Sequence, residues 1–458
     1  MESPMTEMDI HIRPRGDLFD RGVTFRAALW ADPEALALFR VWFETCRENH
    51  ENCRLALDGT LVDEDLGPEL PTRVLDLGQP GATDIVLKET KGLRGIVLES
   101  MPKTFRDAVQ IARQISMRYL WIDGLCIIQG DKEDWERESR QMGTVYQMAC
   151  LVIAATGAMN PGEGCFISTP RELSSVDLPF YSSNGQKAGS FQVCVFSCDE
   201  RSPSRGHLRT RGWAFQESYL ARRILHFMPG GPSWFCYDSG ILDGDGLSER
   251  NNRVSDQSRP DWSTLLCYFS RMRLTHSSDR LMALEGIATE LQKKTGDTYN
   301  RGVFLSELTN YLLWISEDTA SESEDLSDIP SWSWASKGGP KDFSFPSLGY
   351  NMVPDDRAKI YINAQGHLRI QGIVVKCKVY NTLLDDESFH DPRSRVLYGT
   401  ISHYTGQAPL YIEGLAPKCH GFAVFDRQHF DSVYFLPLGR TILKAVFLGL
   451  QDVFFGLE

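Results

Sequence analysis

The sequence contains neither a long apolar run nor a concentrated run of basic residues. Its most apolar segment, Ile442 to Phe455, is interrupted by Lys444, Gln451 and Asp452 and is shorter than the roughly 20 residues that cross a bilayer. Near the N-terminus, acids and prolines stand where a secretory signal has apolar residues. The net charge is −13, from 48 basic and 61 acidic residues, whereas phosphate-backbone binding needs a basic face. We therefore expect a cytoplasmic protein without membrane or nucleic-acid partners.

The short motifs of several enzyme classes are also absent. Gly230-Gly231 and the glycines at 162–164 fit turns, and neither segment has the spacing of a dinucleotide or phosphate-binding loop. There is no H-E-x-x-H, no G-x-S-x-G and no paired C-x-x-C. The 11 cysteines are scattered and odd in number, which favours reduced thiols over a disulfide framework. We expect no cofactor.

One group of potential metal ligands stands out among the cysteines. Cys46, His50 and Cys53 lie four and seven residues apart, so one face of a helix could present three zinc ligands. The sequence shows no fourth ligand, and the short cysteine knuckles of ordinary zinc sites are missing. We therefore expect no metal.

The most informative stretch runs from Tyr119 to Phe166. Aromatic and β-branched residues predict a strand at Tyr119 to Asp123. From Asp134 to Ala149 the larger apolar residues recur at the spacing of an amphipathic helix. The apolar run Cys150 to Ala155 predicts a second strand. The order strand, helix, strand predicts a right-handed parallel unit, and thus an α/β fold.

The chain divides into four segments by composition and pattern. Residues 1–70 form an N-terminal helical segment, and residues 71–230 form the α/β core. Residues 231–329 read as helical and end in an acidic, serine-rich loop. Residues 330–458 contain short alternating runs, which predict a small antiparallel β unit.

Several motifs, taken in order, resemble the fungal heterokaryon-incompatibility (HET) domain proteins. They are YLWIDGLCIIQ, DWE, MGTVYQMACLVIAAT and GEGCF between Tyr119 and Phe166, then RGWAFQE at Arg211, RILHF at Arg223 and WFC at Trp234. The accessory stretches LPTRVLD at Leu70 and PSWSWAS at Pro330 also match. The resemblance implies a parallel-sheet, Toll/interleukin-receptor-like core with helical surroundings. It also implies a role in fungal non-self recognition and regulated cell death, with other incompatibility proteins or a second copy as partners.

The sequence departs from the family at one point. The family places a strand resembling Y-x-A-L-S-Y-x-W-G after the strand near Ile85, but here residues 91–96 run on without it. Either Gly95 to Leu98 substitutes for this strand, or the sheet is incomplete, or the chain derives from a mis-spliced gene model. We hypothesise that Ile96 to Leu98 pairs beside Tyr119 to Asp123.

Two candidate catalytic residues lie at the end of the first strand of the central stretch: Asp123 is its last residue, and Cys126 follows three residues later. Asp123 is placed where ligands gather in open α/β sheets, and its carboxylate could accept a sugar hydroxyl or act as a base. Alternatively, Asp123 caps the following turn. Cys126 could be a nucleophile if a partner lowered its pKa, or it could be a buried, inert thiol. Gln129, in the same motif, is a candidate ligand-binding residue.

A second candidate cluster lies in the RGWAFQE motif. Trp213, Gln216 and Glu217 fall within about one helical turn on one side. With Arg211 they could bind a nucleotide-like ligand, and Glu217 could stabilise an oxocarbenium-like centre. Alternatively, Trp213 anchors the helix in a core and Glu217 pairs with Arg211 or Arg222.

The sequence leaves three functional hypotheses open, and with them the question of whether the protein is an enzyme. The first is an incompatibility effector or regulator, with hydrolysis of the glycosidic bond of NAD as its conceivable chemistry. The second is an enzyme of specialised metabolism that acts on a small organic substrate. The third is a non-catalytic interaction module. Which side chains converge with Asp123 is the observation that bears most on this choice.

Overall fold

The computed structural model describes residues 8–15, 33–62, 70–78, 85–89, 92–167, 175–181, 184–197, 203–229, 231–238, 240–242, 262–312, 314–316, 329–330, 332–343, 353–354, 359–363, 367–371, 375–379, 407–412, 421–424, 432–440 and 445–450. The chain forms two compact units. Unit 1 comprises Met1–Pro260 and Met282–Thr295, and unit 2 comprises Asp261–Leu281 and Gly296–Glu458. The division into four segments stays a prediction.

Helices occur in both units. They are α1 (Pro33–Asn49), α2 (Lys103–Gln114), α3 (Asp123–Cys126), α4 (Lys132–Met148), α5 (Gly212–Leu220), α6 (Trp262–Ser270), α7 (Met282–Thr295) and α8 (Leu308–Tyr311). Within the described ranges, none of these helices combines the length and the apolar character that a membrane crossing requires.

Helix α4 begins directly after a residue whose side chain caps it. The Asp131 side chain accepts a hydrogen bond from the Asp134 amide at 3.0 Å, which caps the helix. Glu133 and Asp134 add negative charge to the first turn, where the helix dipole favours it. The helix ends at Met148, because Ala149 adopts a non-helical conformation. The helix that the sequence predicts at Asp134 to Ala149 is confirmed.

Unit 1 contains three sheets among its described residues. Their strands are β1 (Met8–Arg15), β2 (Arg73–Asp76), β3 (Ile85–Glu89), β4 (Gly92–Ile96), β5 (Tyr119–Leu120), β6 (Val152–Ala154), β7 (Ser175–Tyr181), β8 (Lys187–Ser197), β9 (Arg223–Met228), β10 (Gly231–Cys236) and β11 (Gly240–Leu242). The strand orders are β4-β3-β2-β5, β11-β10-β9-β6 and β1-β8-β7. The fold is therefore mixed helix and sheet, as predicted.

The predicted parallel unit around α4 is not formed by strand pairing. The strand order is present, but β5 pairs antiparallel with β2, whereas β6 pairs parallel with β9. The first strand is also shorter than predicted, because Asp123 already begins α3. Because β5 has only two residues, it has few backbone groups left to pair with a second strand. Apart from β6 and β9, the paired strands described in these sheets run antiparallel.

The hypothesis that Ile96 to Leu98 lies beside Tyr119 to Asp123 is wrong. Ile96 pairs with Ile85 at the end of the β3–β4 hairpin, and β2 is the strand that pairs with β5. Val97 is exposed, and Leu98 begins a short 3₁₀ turn. Only two residues separate β3 from β4, so local pairing across a short hairpin forms in preference to a distant one. Residues 92–96 therefore add an edge strand.

Helix α1 packs on the β9–β10 sheet through aromatic rings. Phe39 meets Phe227 edge to face at a centroid distance of 5.5 Å, and Phe43 meets Trp234 at 6.5 Å. These four rings belong to one buried core that α2 extends with Ile111 and Ile115. The N-terminal helical segment is thus part of the core of unit 1.

Helices α4 and α7 approach each other at a pair of glycines. A Cβ built on Gly143 would lie 2.8 Å from the Gly286 Cα and 3.3 Å from the Leu220 Cδ1. Gln216 of α5 reaches the same point, where its Oε1 accepts a hydrogen bond from the Gly286 amide at 2.8 Å. The contact therefore joins three helices.

Replacing Gly143 with alanine is expected to lower the free energy of unfolding by about 1–3 kcal/mol, because the new methyl group overpacks a backbone contact. Denaturant unfolding measures this change. The matched control is Gly95→Ala, since a Cβ there meets no described atom within 4 Å. Equal stability of both variants would contradict the close contact between Gly143 and Gly286.

Two buried arginines connect separate parts of unit 1. Arg222 is fully buried and donates from Nε to the Gln147 carbonyl and from Nη1 to the Cys53 carbonyl, both at 3.0 Å. It also donates to the carbonyls of Met148 and Ala149. Arg222 follows α5 in the chain, but its guanidinium caps the C-terminus of α4.

The second buried arginine, Arg73, joins β2 to the start of α4. Its guanidinium forms ion pairs with Asp134 and, at 3.5 Å, with Glu138, and its Nε donates to the Cys126 carbonyl. Asp134 Oδ2 also accepts the Ile128 amide at 2.8 Å. The LPTRVLD and DWE motifs therefore meet in one buried ion-pair network.

Unit 2 contains the antiparallel β region that the sequence predicts. Its described strands are β12 (Tyr299–Asn300), β13 (Val303–Phe304), β14 (Ile315–Ser316), β15 (Lys341–Asp342), β16 (Val353–Pro354), β17 (Lys359–Ile362), β18 (Leu368–Gln371), β19 (Val375–Val379), β20 (Gln407–Ile412), β21 (Gly421–Val424), β22 (Ser432–Arg440) and β23 (Ala445–Leu450). The largest sheet has the order β16-β22-β19-β20-β21, with β23 also on β22. Its pairs are antiparallel, which confirms the prediction.

Candidate functional site

Four polar side chains from three helical elements converge in unit 1. Asp123 is the first residue of α3, Tyr146 lies in the last turn of α4, Arg211 immediately precedes α5, and Glu217 lies within α5. Asp123 and Arg211 both act electrostatically on Glu217 and on Tyr146. We call these four residues the carboxylate site.

Glu217 is the carboxyl of this site whose pKa is raised into the neutral range. Burial is the largest cause that raises the pKa of its carboxyl, and repulsion by Asp123 raises it further. A hydrogen bond with the Tyr146 hydroxyl and the charge of Arg211 act in the opposite direction, and the resulting pKa is about 7. Glu217 can therefore gain or lose a proton at neutral pH, as a general acid or base must.

Tyr146 remains a neutral hydrogen-bond donor in this environment. Burial raises the pKa of its hydroxyl well above the ordinary 10.0, and the charges of Glu217 and Asp123 raise it further. The charge of Arg211 opposes this shift without reversing it. Because the phenol stays protonated, it can donate to the Glu217 carboxyl and hold it in place.

Indole rings flank the carboxylate site. Trp121 contacts the Tyr146 ring edge to face at a centroid distance of 5.8 Å. Trp213, one turn before Glu217 on α5, contacts Trp135 of α4 at 6.1 Å in the same geometry. Trp213 and Trp135 are half-buried, so they brace α5 against α4 and keep part of their surface open. Partly exposed indoles next to charged groups suit a planar, polar ligand.

Asp123 is exposed, as a residue that meets a ligand must be. Its Oδ1 accepts the Gly124 amide at 2.7 Å, so it also helps to form the following turn. The two readings of Asp123 from sequence are thus compatible, because a carboxylate has further acceptor positions.

Three sequence candidates lie away from the carboxylate site or are occupied by structural contacts. Cys126 is fully buried, and burial raises the pKa of its thiol to about 11, so it is a protonated, inert thiol at neutral pH. Gln216 is buried and uses its carboxamide oxygen on the Gly286 amide. Gln129 is exposed, and its Nε2 donates to the Ile127 carbonyl at 3.0 Å. We correct the assignments of Cys126 and Gln216 accordingly.

Tyr146 was missed by the sequence reasoning. Its spacing with Met142 and Ala149 assigns it to the apolar face of α4, where it counts as a core residue. The hydroxyl of Tyr146 is the feature of the sequence that indicates a polar partner, because a tyrosine buried on a helix face requires a hydrogen-bond partner. That partner is Glu217, which the same sequence already singles out.

Comparison with known proteins identifies the region that carries this site. The family model described as "Heterokaryon incompatibility protein (HET)" matches residues 79–217. That range begins before β3, ends at Glu217 and includes all four residues of the carboxylate site. No curated protein and no solved structure matches the chain significantly. The motifs quoted from the sequence and the matched range agree, and together they identify a region of the heterokaryon-incompatibility (HET) type at residues 79–217 of this chain.

Proposed function

We propose that this protein is an effector or regulator of non-self recognition and regulated cell death in the cytoplasm of a fungal cell. In this proposal, its HET domain hydrolyses the glycosidic bond of an NAD-type nucleotide at the carboxylate site. The observation that carries the chemistry is the position of Glu217, a half-buried carboxyl with a pKa of about 7 beside a second carboxylate, Asp123. The Toll/interleukin-receptor-like arrangement implied by the family resemblance belongs to the same proposal.

Three residues of the carboxylate site act on the substrate in this reaction. Cleavage of the bond between the ribose and nicotinamide leaves an oxocarbenium-like sugar, which a nearby carboxylate stabilises. Nicotinamide departs with the bonding electron pair, water adds to the sugar, and a carboxylate accepts the released proton. Glu217 stabilises the charge, Asp123 accepts a sugar hydroxyl, and the exposed Arg211 binds phosphate oxygens.

Replacing Glu217 with glutamine is expected to lower nicotinamide release from NAD by on the order of 100-fold, because the amide keeps the shape of the side chain but cannot carry its charge. Purified protein is incubated with NAD at high protein concentration, and released nicotinamide is quantified. The control is Glu99→Gln, an exposed glutamate on the turn after β4, which retains full release. A wild-type protein that releases none would contradict the proposed chemistry.

The same variant has a second readout that does not depend on any substrate. The pKa of Glu217 rises from an ordinary 4.5 to about 7, so between these values the folded state holds a proton that the unfolded state has lost. Stability therefore falls as the pH rises through this window. Glu217→Gln removes that penalty, and after allowance for solvent screening we expect a gain of about 1–2 kcal/mol above pH 7 and little below pH 4.5.

Two other hypotheses make different use of the same site. An enzyme of specialised metabolism would place a small organic substrate against Glu217, and NAD would then be inert while the pH-dependent gain in stability remained. A non-catalytic module would bind another incompatibility protein or a second copy of this chain. In that case, Glu217→Gln would fold normally and keep full toxicity in cells.

A further inference from the structure

Four metal-binding side chains from distant parts of unit 1 meet in its core. Cys46 lies in the last turn of α1, His50 follows that helix, and Cys53 lies in a 3₁₀ turn at Asn52–Arg54. The fourth is Cys236, the last residue of β10 and part of the WFC motif. The sequence could not reveal this donor, because 182 residues separate it from Cys53.

The distances among these donors fit one metal ion. The ligand atoms of all four residues lie within 4.8 Å of one another, and the Cys236 Sγ lies 3.3 Å from the His50 Nδ1. Bonds of about 2.3 Å from zinc to sulfur place the corners of a tetrahedron about 3.8 Å apart. A small contraction of the four side chains would therefore enclose a zinc ion.

The donor types and their burial indicate the class of site. Three thiolates and one imidazole form a ligand set that is typical of structural zinc and unsuited to magnesium or calcium. Cys46, Cys53 and Cys236 are each at most 3% exposed, so these donors leave little room for water or substrate. A closed Cys₃His site stabilises a fold, whereas a catalytic site keeps one position open.

The surroundings also suit a bound zinc ion. Three thiolates and one Zn²⁺ leave a net charge of about −1, and the buried Arg223 donates from Nε to the Cys46 Sγ at 3.2 Å. Such outer contacts orient the ligands and offset residual charge. The Cys53 thiol donates to the Asp238 carboxylate at 3.9 Å, and a bound zinc ion would replace that thiol proton. The Asn52 backbone amide donates to the same Asp238 carboxylate at 3.2 Å.

We propose that Cys46, His50, Cys53 and Cys236 bind one structural zinc ion, which fastens the segment after α1 to the end of β10. All four ligands lie outside residues 79–217, the range of the HET family match. The proposed zinc site and the carboxylate site therefore have no residue in common. Loss of the zinc ion is expected to detach the N-terminal helical segment from the sheet. The polar residues of α3, α4 and α5 are not zinc ligands.

The first test measures metal in the full-length protein, purified under reducing conditions without chelator. We expect one zinc ion per chain by elemental analysis. After removal of zinc under reducing conditions, added cobalt(II) is expected to give the absorption bands of tetrahedral thiolate coordination. A protein without bound zinc that also gives no such bands would overturn the proposal, whatever its activity towards NAD.

The second test compares two cysteine variants. Cys236→Ala is expected to weaken zinc binding by at least about tenfold, whereas Cys165→Ala, a fully buried cysteine of the same core, keeps full stoichiometry. Equal zinc affinity of both variants, measured by competition with a chelator, would contradict the assignment of Cys236. If Cys236→Ala does not fold, the cobalt spectrum of the wild type still decides the question.

Thiol counting separates zinc binding from a disulfide. Under denaturing conditions with chelator and without reductant, zinc binding predicts that all 11 cysteines react. A disulfide between two of the four donors would lower the count by two and would overturn the zinc assignment.

Discussion

Replacing Arg222 with methionine is expected to lower the free energy of unfolding by at least about 3 kcal/mol, since it removes a buried charge that satisfies several buried acceptors. Three of these acceptors, the carbonyls of Gln147, Met148 and Ala149, lie at the C-terminal end of α4. The fourth belongs to Cys53 in the N-terminal segment. Methionine fills a similar volume but donates no hydrogen bond.

Urea unfolding monitored by tryptophan fluorescence measures the effect of Arg222→Met. The matched control is Arg140→Met, because Arg140 lies on α4 itself but is exposed, and its loss is expected to change stability little. Arg222→Lys keeps the charge but lacks the planar fork that reaches several carbonyls, so it is expected to fall between the two. Similar stability of Arg222→Met and wild type would contradict the capping role.

Arg73→Met is expected to destabilise unit 1 by about 3 kcal/mol at neutral pH. Its loss leaves Asp134 and Glu138, both 3% exposed, without the guanidinium that pairs with them, and unpaired buried carboxylates are costly. We expect a loss of unfolding free energy at the low end of the range for broken buried ion pairs, because the half-exposed Arg137 still pairs with Asp134.

The destabilisation by Arg73→Met is expected to depend on pH. Burial by itself raises the pKa of Asp134, but hydrogen bonds from Arg73 and the Ile128 amide, with the charges of Arg73 and Arg137, outweigh it and lower the pKa below 3.8. The ion pair therefore contributes stability above that ordinary value, and this contribution is lost as the pH falls through the lowered pKa.

Unfolding curves of wild type and Arg73→Met between pH 7 and pH 3 test this expectation. The difference in stability should be largest at neutral pH and should shrink below about pH 4. Arg40→Met is the control, because both partners of its ion pair with Glu44 are exposed and its loss should change stability little. A difference that does not vary with pH would contradict the role of the Arg73–Asp134 pair.

The sequence predicts the parts of this fold that depend on local chemistry. Helix α4 follows from its apolar period, and the antiparallel strands of unit 2 follow from short alternating runs. The family motifs identify the HET domain and single out Asp123 and Glu217, which the structure brings into one electrostatic cluster. Their catalytic roles stay predictions, because proximity alone does not define a reaction.

What the sequence does not predict depends on contacts between distant residues. Whether β5 pairs with β2 or with β6 is decided by sheet order, which periodicity does not encode. The destination of Arg222 is another example, because a cation after α5 gives no sign that it will cap α4. Likewise, Cys236 is recognisable as a possible metal ligand only when β10 lies against the end of α1.

The discontinuity of unit 1 has a consequence for how the protein is made. Helix α7 belongs to unit 1, although residues 261–281, which precede it, belong to unit 2. Until α7 leaves the ribosome, Gln216 lacks the Gly286 amide and Gln147 lacks the Glu290 carboxylate, which it binds at 3.0 Å in the finished core. The nascent chain must therefore keep a polar, unpaired helix face during synthesis of the intervening residues. Completion of unit 1 waits for Met282–Thr295, a segment that begins 65 residues after Glu217.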